Sequence, residues 1–165
     1  MKFLIINGPN LNLMHFTEPG VAGQIDYNAL LDYLEVCCQQ MDIQVEFFQS
    51  NHEGDLIDEI QSAAGRVDGI VINPAAYTHT SVAILDALKA VAIPAVEIHI
   101  SAVETREDFR QVSYARLACF ATITGEGLKG YAHALELLKE HLEKLNANPN
   151  KQQRLARARL QQHTR

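Results

Sequence analysis

Five short runs rich in β-branched and aromatic residues recur along the chain: KFLIIN (2 to 7), QVEFFQ (44 to 49), GIVIN (69 to 73), AVEIHI (95 to 100) and ACFATIT (118 to 124). They carry apolar side chains on both faces, as strands do in a parallel sheet covered by helices on each side. Helical patterns fill the intervals. In DYNALLDYLEVCCQQM, Leu30, Leu34, Cys37 and Met41 recur at i, i+4, i+7 and i+11, and Asp26 stands where an N-cap belongs. Further helices are expected at about 55 to 64, 80 to 91 and 128 to 145, with a helical turn in ETREDFRQV, 104 to 112. Five strands alternating with helices define an α/β fold with a doubly wound parallel sheet. The count of five favours the flavodoxin-like order 2-1-3-4-5 over a six-stranded dinucleotide fold.

The chain has 165 residues, of which 47% are apolar, enough for one core without disulfides or metal. Residues 1 to 145 read as that domain. Cys37, Cys38 and Cys119 form no CxxC pair, so neither a disulfide framework nor a zinc site is indicated, and a reducing cytoplasm fits. The apolar run at the N-terminus is too short for a signal peptide, and no window approaches the ~20 apolar residues of a membrane span. Charge is unevenly placed. Residues 143 to 165 hold six basic residues against one acid, a net of +5, which leaves −11 of the overall −6 on residues 1 to 142. An acidic globule repels nucleic acid. The basic tail, 146 to 165, follows Asn146, Asn148, Pro149 and Asn150 and reads as a flexible, solvated terminus, with RNA or partner binding as the alternative.

In a doubly wound sheet, ligands bind outside the carboxyl ends of the strands near the switch in strand order. The loops after strands 1, 3 and 4 should therefore converge. They bring Asn7, Asn10 and Asn12; Asn73, Tyr77, Thr78 and His79; and Glu97, His99 and Ser101, the last three alternating along one face of strand 4. A lone histidine is more often a satisfied structural residue than a functional one. The conjunction of amides, two imidazoles and a carboxylate at one sheet edge is what points to chemistry.

Other chemistries are set aside by the same residues. NGPN after strand 1 puts a proline where a phosphate cradle needs backbone N–H groups, and neither GxGxxG nor GxxxxGK[ST] occurs there. Glu97 and His99 have no third ligand at metal spacing, and no GxSxG elbow is present. Acid–base chemistry on a small polar molecule remains, with Glu97 as orienter of His99.

INGPNLNL (6 to 13), FQSNHEGDLID (48 to 58), DGIVINPAAYTHTSVAILDAL (68 to 88) and VEIHIS (96 to 101), with Phe109 and Arg110, resemble type II 3-dehydroquinate dehydratase over about residues 1 to 142. The resemblance implies a flavodoxin-like lyase, assembled as a dodecamer of four trimers. It would dehydrate 3-dehydroquinate to 3-dehydroshikimate with no metal or cofactor. By resemblance, His99 is the general acid and Glu97 its holder, while Asn10 positions a water against the enolate. Asn73, His79 and Arg110 contact substrate hydroxyls, Ile100 and Ser101 grip the carboxylate, and Asp86 reaches in from a neighbouring subunit.

One stretch departs from the pattern. The family's lid, of the form GTREPEIYG, aligns with HFTEPGVAG (15 to 23), so Thr17 stands for the arginine and Ala22 for the tyrosine that acts as base. An unassisted phenol has a pKa of ~10 and needs the arginine to ionise near neutrality; here the phenol itself is absent. His15 and Tyr27 are the replacement candidates, His15 the better placed of the two. Ala102 also replaces a usual asparagine. Three readings stay open on the residues: a dehydratase, which can be one of reduced rate; a paralogue that binds quinate-like ligands without turnover; and an altered reaction on a related cyclic hydroxy acid.

Overall fold

Successive side chains of β1 (Lys2–Asn7) point to opposite faces, and that alternation divides the core in two. Phe3 and Ile5 face one side, and Leu4 and Ile6 the other, all fully buried. The computed structural model describes residues 1–14 and 26–147. His15, Thr17 and Ala22 of the expected lid, and the tail from residue 148 onward, lie outside the described residues.

Five parallel strands form one sheet in the order β2-β1-β3-β4-β5: β1, β2 (Gln44–Gln49), β3 (Gly69–Asn73), β4 (Ala95–His99) and β5 (Ala121–Thr124). This is the flavodoxin-like arrangement expected from the sequence. On one face α1 (Tyr27–Gln40) and α4 (Lys129–Asn146) supply Leu30, Leu34, Leu135 and Leu138 to a core with Phe3, Ile5, Val71 and Ile98. On the other, α2 (Glu53–Ser62) and α3 (Val82–Val91) cover Leu4, Ile6, Ile70 and Ile72 with Leu56, Ile60, Ile84 and Leu88. Two caps set helix starts: Asp26 accepts from Ala29 N–H at 2.9 Å, and Ser81 from Ile84 N–H at 2.9 Å. No helix among the described residues is long and apolar enough to cross a membrane.

Several boundaries differ from the sequence reading, among them the helix expected at 55 to 64, which runs Glu53–Ser62, and the fourth strand, which ends at His99. The fifth strand begins at Ala121, not at Ala118, because Ala115–Ala118 winds into a short helical turn and only Phe120 N–H, bonding to Ala95 O at 3.0 Å, leads into the ladder. The third helix begins at Val82 behind the Ser81 cap, while Ala75–His79 forms a separate turn. The expected turn in 104 to 112 is two short ones, Val103–Thr105 and Asp108–Arg110.

The strand order places β1, β3 and β4 side by side, so their carboxyl-end loops meet. The first two meet tightly: Gly8 N–H donates to Asn73 O at 2.8 Å, and a Cβ on Gly8 would lie 2.4 Å from Pro74 O. The obstacle is backbone, which cannot swing aside. Gly8→Ala is expected to cost about 1–3 kcal/mol of stability through overpacking, read as a lower midpoint in denaturant unfolding; an unchanged midpoint contradicts this close approach.

Candidate active site

Glu97 lies in the middle of β4, fully buried, and four side chains surround its carboxylate. Oε1 accepts from Ser113 Oγ at 2.6 Å and faces His99 Nε2 at 3.0 Å; Oε2 accepts from Thr122 Oγ1 at 3.2 Å and lies 3.9 Å from Arg116 Nε. Burial by itself raises this carboxyl's pKa, but the hydrogen bond and charge of His99, the Ser113 hydroxyl and the Arg116 charge together hold it below the usual carboxylate range. An ionised carboxylate only accepts, so His99 Nε2 carries the hydrogen of this contact and Nδ1 is left for a ligand.

Above the pair opens a cleft of about 240 Å³. That is below the ~300–1,000 Å³ of pockets for drug-sized ligands and suits a small molecule. Asn10, Asn73, His79, His99, Ile100, Ser101 and Arg110 all line it, so the structure brings together seven residues singled out in the sequence. Glu97 lies beneath the imidazole rather than in the wall. Asp86 is exposed on α3 and does not line this chain's own cleft. Thr17 and Ala22 are outside the described residues.

Each wall is held locally. Asn10 sits in the left-handed region, φ 67°, which asparagine tolerates better than most residues, and its N–H donates to Asn51 Oδ1 at 2.9 Å. Asn51 is tied in turn by Gln49 Nε2 at 3.2 Å and, through its carbonyl, by the Tyr77 hydroxyl at 3.0 Å. His79 Nδ1 donates to Val112 O at 2.7 Å; a carbonyl cannot donate, so Nε2 of that ring is free to accept. Arg110 and Arg106 share the single carboxylate of Glu107, with Nε to Oε2 separations of 3.0 and 3.7 Å. Of the residues that line the cleft, Arg106 and Arg110 carry the fixed charges, whereas Glu107 is outside the lining, so this rim of the cleft is positive and suited to an anion.

Sequence reasoning had no sight of Ser113, Thr122 and Arg116, which serve Glu97, nor of Arg106 at the rim. Thr122 carried one usable signal, a polar residue in an apolar strand, and it pairs in register with Glu97. Tyr27 is one of the two replacement candidates for the base. Its hydroxyl accepts from Asn7 Nδ2 at 3.3 Å, and burial raises its pKa against the lowering effect of that bond. A phenol held in this way stays protonated.

A doubly wound sheet with an acid–base cleft at the carboxyl ends of its central strands is the class that this fold and site define. Within it, the chain belongs to the class II dehydroquinase family, whose sequence profile, Dehydroquinase class II, matches residues 1–139. The 3-dehydroquinate dehydratase of Caldicellulosiruptor bescii is 50% identical over 143 residues, covering 86% of this chain and 99% of that protein. The crystal structure of type II dehydroquinase from Butyrivibrio crossotus matches with a TM-score of 0.81 at 48% identity, over 84% of this chain and 97% of that one. That of Propionibacterium acnes matches with a TM-score of 0.79 at 37% identity, over 83% and 94%.

The depressed pKa of Glu97 makes stability depend on pH. An unfolded glutamate titrates near ~4.3, so between that value and the lower folded one the unfolded chain binds more protons, and stability rises with pH. The contribution is complete above ~4.3 and is lost as pH falls through the folded value. Ser113→Ala removes one donor to the carboxylate and is expected to cost about 1.5–3 kcal/mol near neutral pH. In denaturant unfolding the deficit should shrink as Glu97 protonates; a deficit that is constant with pH contradicts the assignment.

Proposed function

We propose that the protein is a hydro-lyase that removes water from 3-dehydroquinate to give 3-dehydroshikimate through an enolate. The observation that carries this reading is the Glu97–His99 pair buried beneath a cleft lined by amides, a second imidazole and guanidinium groups. Elimination β to a carbonyl needs a base at C2, a neutral donor at the enolate oxygen and an acid for the departing hydroxyl. His99 is the acid. Glu97 keeps Nε2–H, so it is the imidazolium form, protonated at both nitrogens, that gives its Nδ1 proton to the C1 oxygen as that C–O bond breaks and the C1–C2 double bond forms, leaving the neutral Nε2–H ring. Asn10 positions the water that donates to the enolate oxygen, Asn73, His79 and Arg110 hold ring hydroxyls, and Ile100 with Ser101 grips the carboxylate beside the positive rim. No step is routed through a metal or cofactor.

The base is where this chain departs from its family, with Ala22 in place of tyrosine and Thr17 in place of arginine. Tyr27 is tied beneath the cleft. His15, on the lid segment itself, is the replacement this sequence offers, since imidazole is the side chain suited to proton transfer near neutrality. Asp86, exposed on α3 and outside its own chain's cleft, suits a role in a neighbouring subunit's site. The exposed Val82, Phe109 and Val112 support a homo-oligomer, for which a trimer-based dodecamer is our reading.

Steady-state formation of 3-dehydroshikimate, followed by its enone absorbance, tests the reaction. His99→Ala is expected to lower kcat by ~10²–10⁴. Quinate binding in calorimetry with no turnover would assign the cleft to ligand capture instead, and neither binding nor turnover would reject the site. The double variant Thr17→Arg/Ala22→Tyr is expected to exceed the wild-type kcat; an unchanged rate contradicts the view that the missing phenol and guanidinium limit turnover. Sedimentation should give a trimer or a multiple of it, whereas a fully active monomer contradicts the shared site.

A further inference from the structure

Beneath the cleft, four segments separated in sequence are joined by one run of hydrogen bonds. Ala75 N–H donates to Asn73 Oδ1 at 3.2 Å, and Asn73 Nδ2 donates to the Tyr131 hydroxyl at 3.1 Å. That hydroxyl donates to Asn7 Oδ1 at 2.6 Å, and Asn7 Nδ2 donates to the Tyr27 hydroxyl at 3.3 Å. Asn7 and Tyr131 are fully buried, and Asn73 is 3% exposed. Asn73 and Ala75 line the cleft, whereas Asn7, Tyr27 and Tyr131 are not in its wall.

The direction of this run is fixed at one end. A backbone N–H can only donate, so Ala75 holds the oxygen of Asn73 and turns its amino group towards Tyr131. A hydroxyl has a single hydrogen. Having accepted from Asn73, Tyr131 gives that hydrogen to Asn7 Oδ1, which turns the Asn7 amino group towards Tyr27. The anchoring residue is itself unusual: Ala75 has φ 51°, a conformation that costs a side-chain-bearing residue energy and persists where the surroundings enforce it.

We propose that Tyr131 is a positioning residue for the cleft, its hydroxyl locking the Asn73 amide in one orientation so that a defined N–H and C=O meet the bound ring. The inference rests on the dehydratase reading of the cleft. Remove the hydroxyl and both Asn73 Nδ2 and Asn7 Oδ1 lose a buried partner, so the Asn73 amide, then held only at its oxygen by Ala75 N–H, can tilt about that bond or recruit water. An orientation lost equally for bound substrate and transition state raises KM and leaves kcat in place.

Tyr131→Phe keeps the ring volume and deletes only the hydroxyl. Its KM for 3-dehydroquinate is expected to rise about threefold to tenfold, the scale of one hydrogen bond, with kcat within about twofold of wild type. In an Asn73→Ala background the same substitution should raise KM no further, because its effect passes through that amide. Asn7→Ala, which removes the acceptor of the Tyr131 hydrogen, should act in the same direction and be silenced in the same way; it carries the test should Tyr131→Phe fail to fold. An unchanged KM, a loss confined to kcat, or effects that multiply in the double variants would overturn the proposal. Wild type without turnover would instead overturn the dehydratase reading, and the same cycle read by quinate affinity in calorimetry then decides the role of Tyr131: coupled losses support it, and independent or absent losses overturn it.

Discussion

A carboxylate fully buried in the middle of a strand is the constraint around which this end of the molecule is built. Leaving such a charge unpaired costs several kcal/mol, and Glu97 is therefore met from three directions: by His99 two residues along its own strand, by Thr122 across the ladder on β5, and by Ser113 and Arg116 from the irregular segment between. That segment, made of short helical turns outside the sheet, is pinned where it can serve as cleft wall. Tyr114 N–H bonds to Thr78 O at 3.0 Å, Arg116 N–H to Ser113 Oγ at 3.1 Å, and Val112 O receives His79. The placing of the His99 imidazole and of the cleft's walls thus follows from the solution to one electrostatic problem.

A second polar system, Asn73–Tyr131–Asn7–Tyr27, lies under the other side of the cleft, at the ends of β3 and β1. The two systems differ in kind. Glu97 is charged and its partners set where a proton sits; the amide and phenol run is neutral, with burial pushing the Tyr131 phenol well above its ordinary range, and it sets orientation. The sheet order joins them, since β1, β3 and β4 lie side by side. Strands β1, β3 and β4, which end in asparagine, asparagine and histidine, thereby form one polar edge at the carboxyl end of the sheet.

Much of this was legible in the residues. Apolar runs on both faces gave the covered parallel sheet, and Asp26 marked its helix because an N-cap is a local event. Asn10, Asn73, His79, His99 and Ser101 could be named because polar groups at the end of a buried strand stand out against their context. What stayed hidden depends on partners distant in sequence. Tyr131 pairs with Asn7 across 124 residues and reads locally as one more apolar position on a helix. Ser113 sits in a segment without periodicity, so its bond to Glu97 had no local signature. The start of β5 was misplaced for a related reason, since ACF is as compatible with an approaching turn as with a strand until the register with β4 is known.

The central claim is that Glu97 dictates which nitrogen of His99 faces the ring. Nitrogen NMR of the imidazole, recorded with His99 labelled and at a pH where it is neutral, tests this directly. The account predicts the Nε2–H tautomer, with Nδ1 as the unprotonated nitrogen whose shift moves when quinate is added. A neutral ring protonated at Nδ1, or an Nδ1 shift indifferent to quinate, would contradict it.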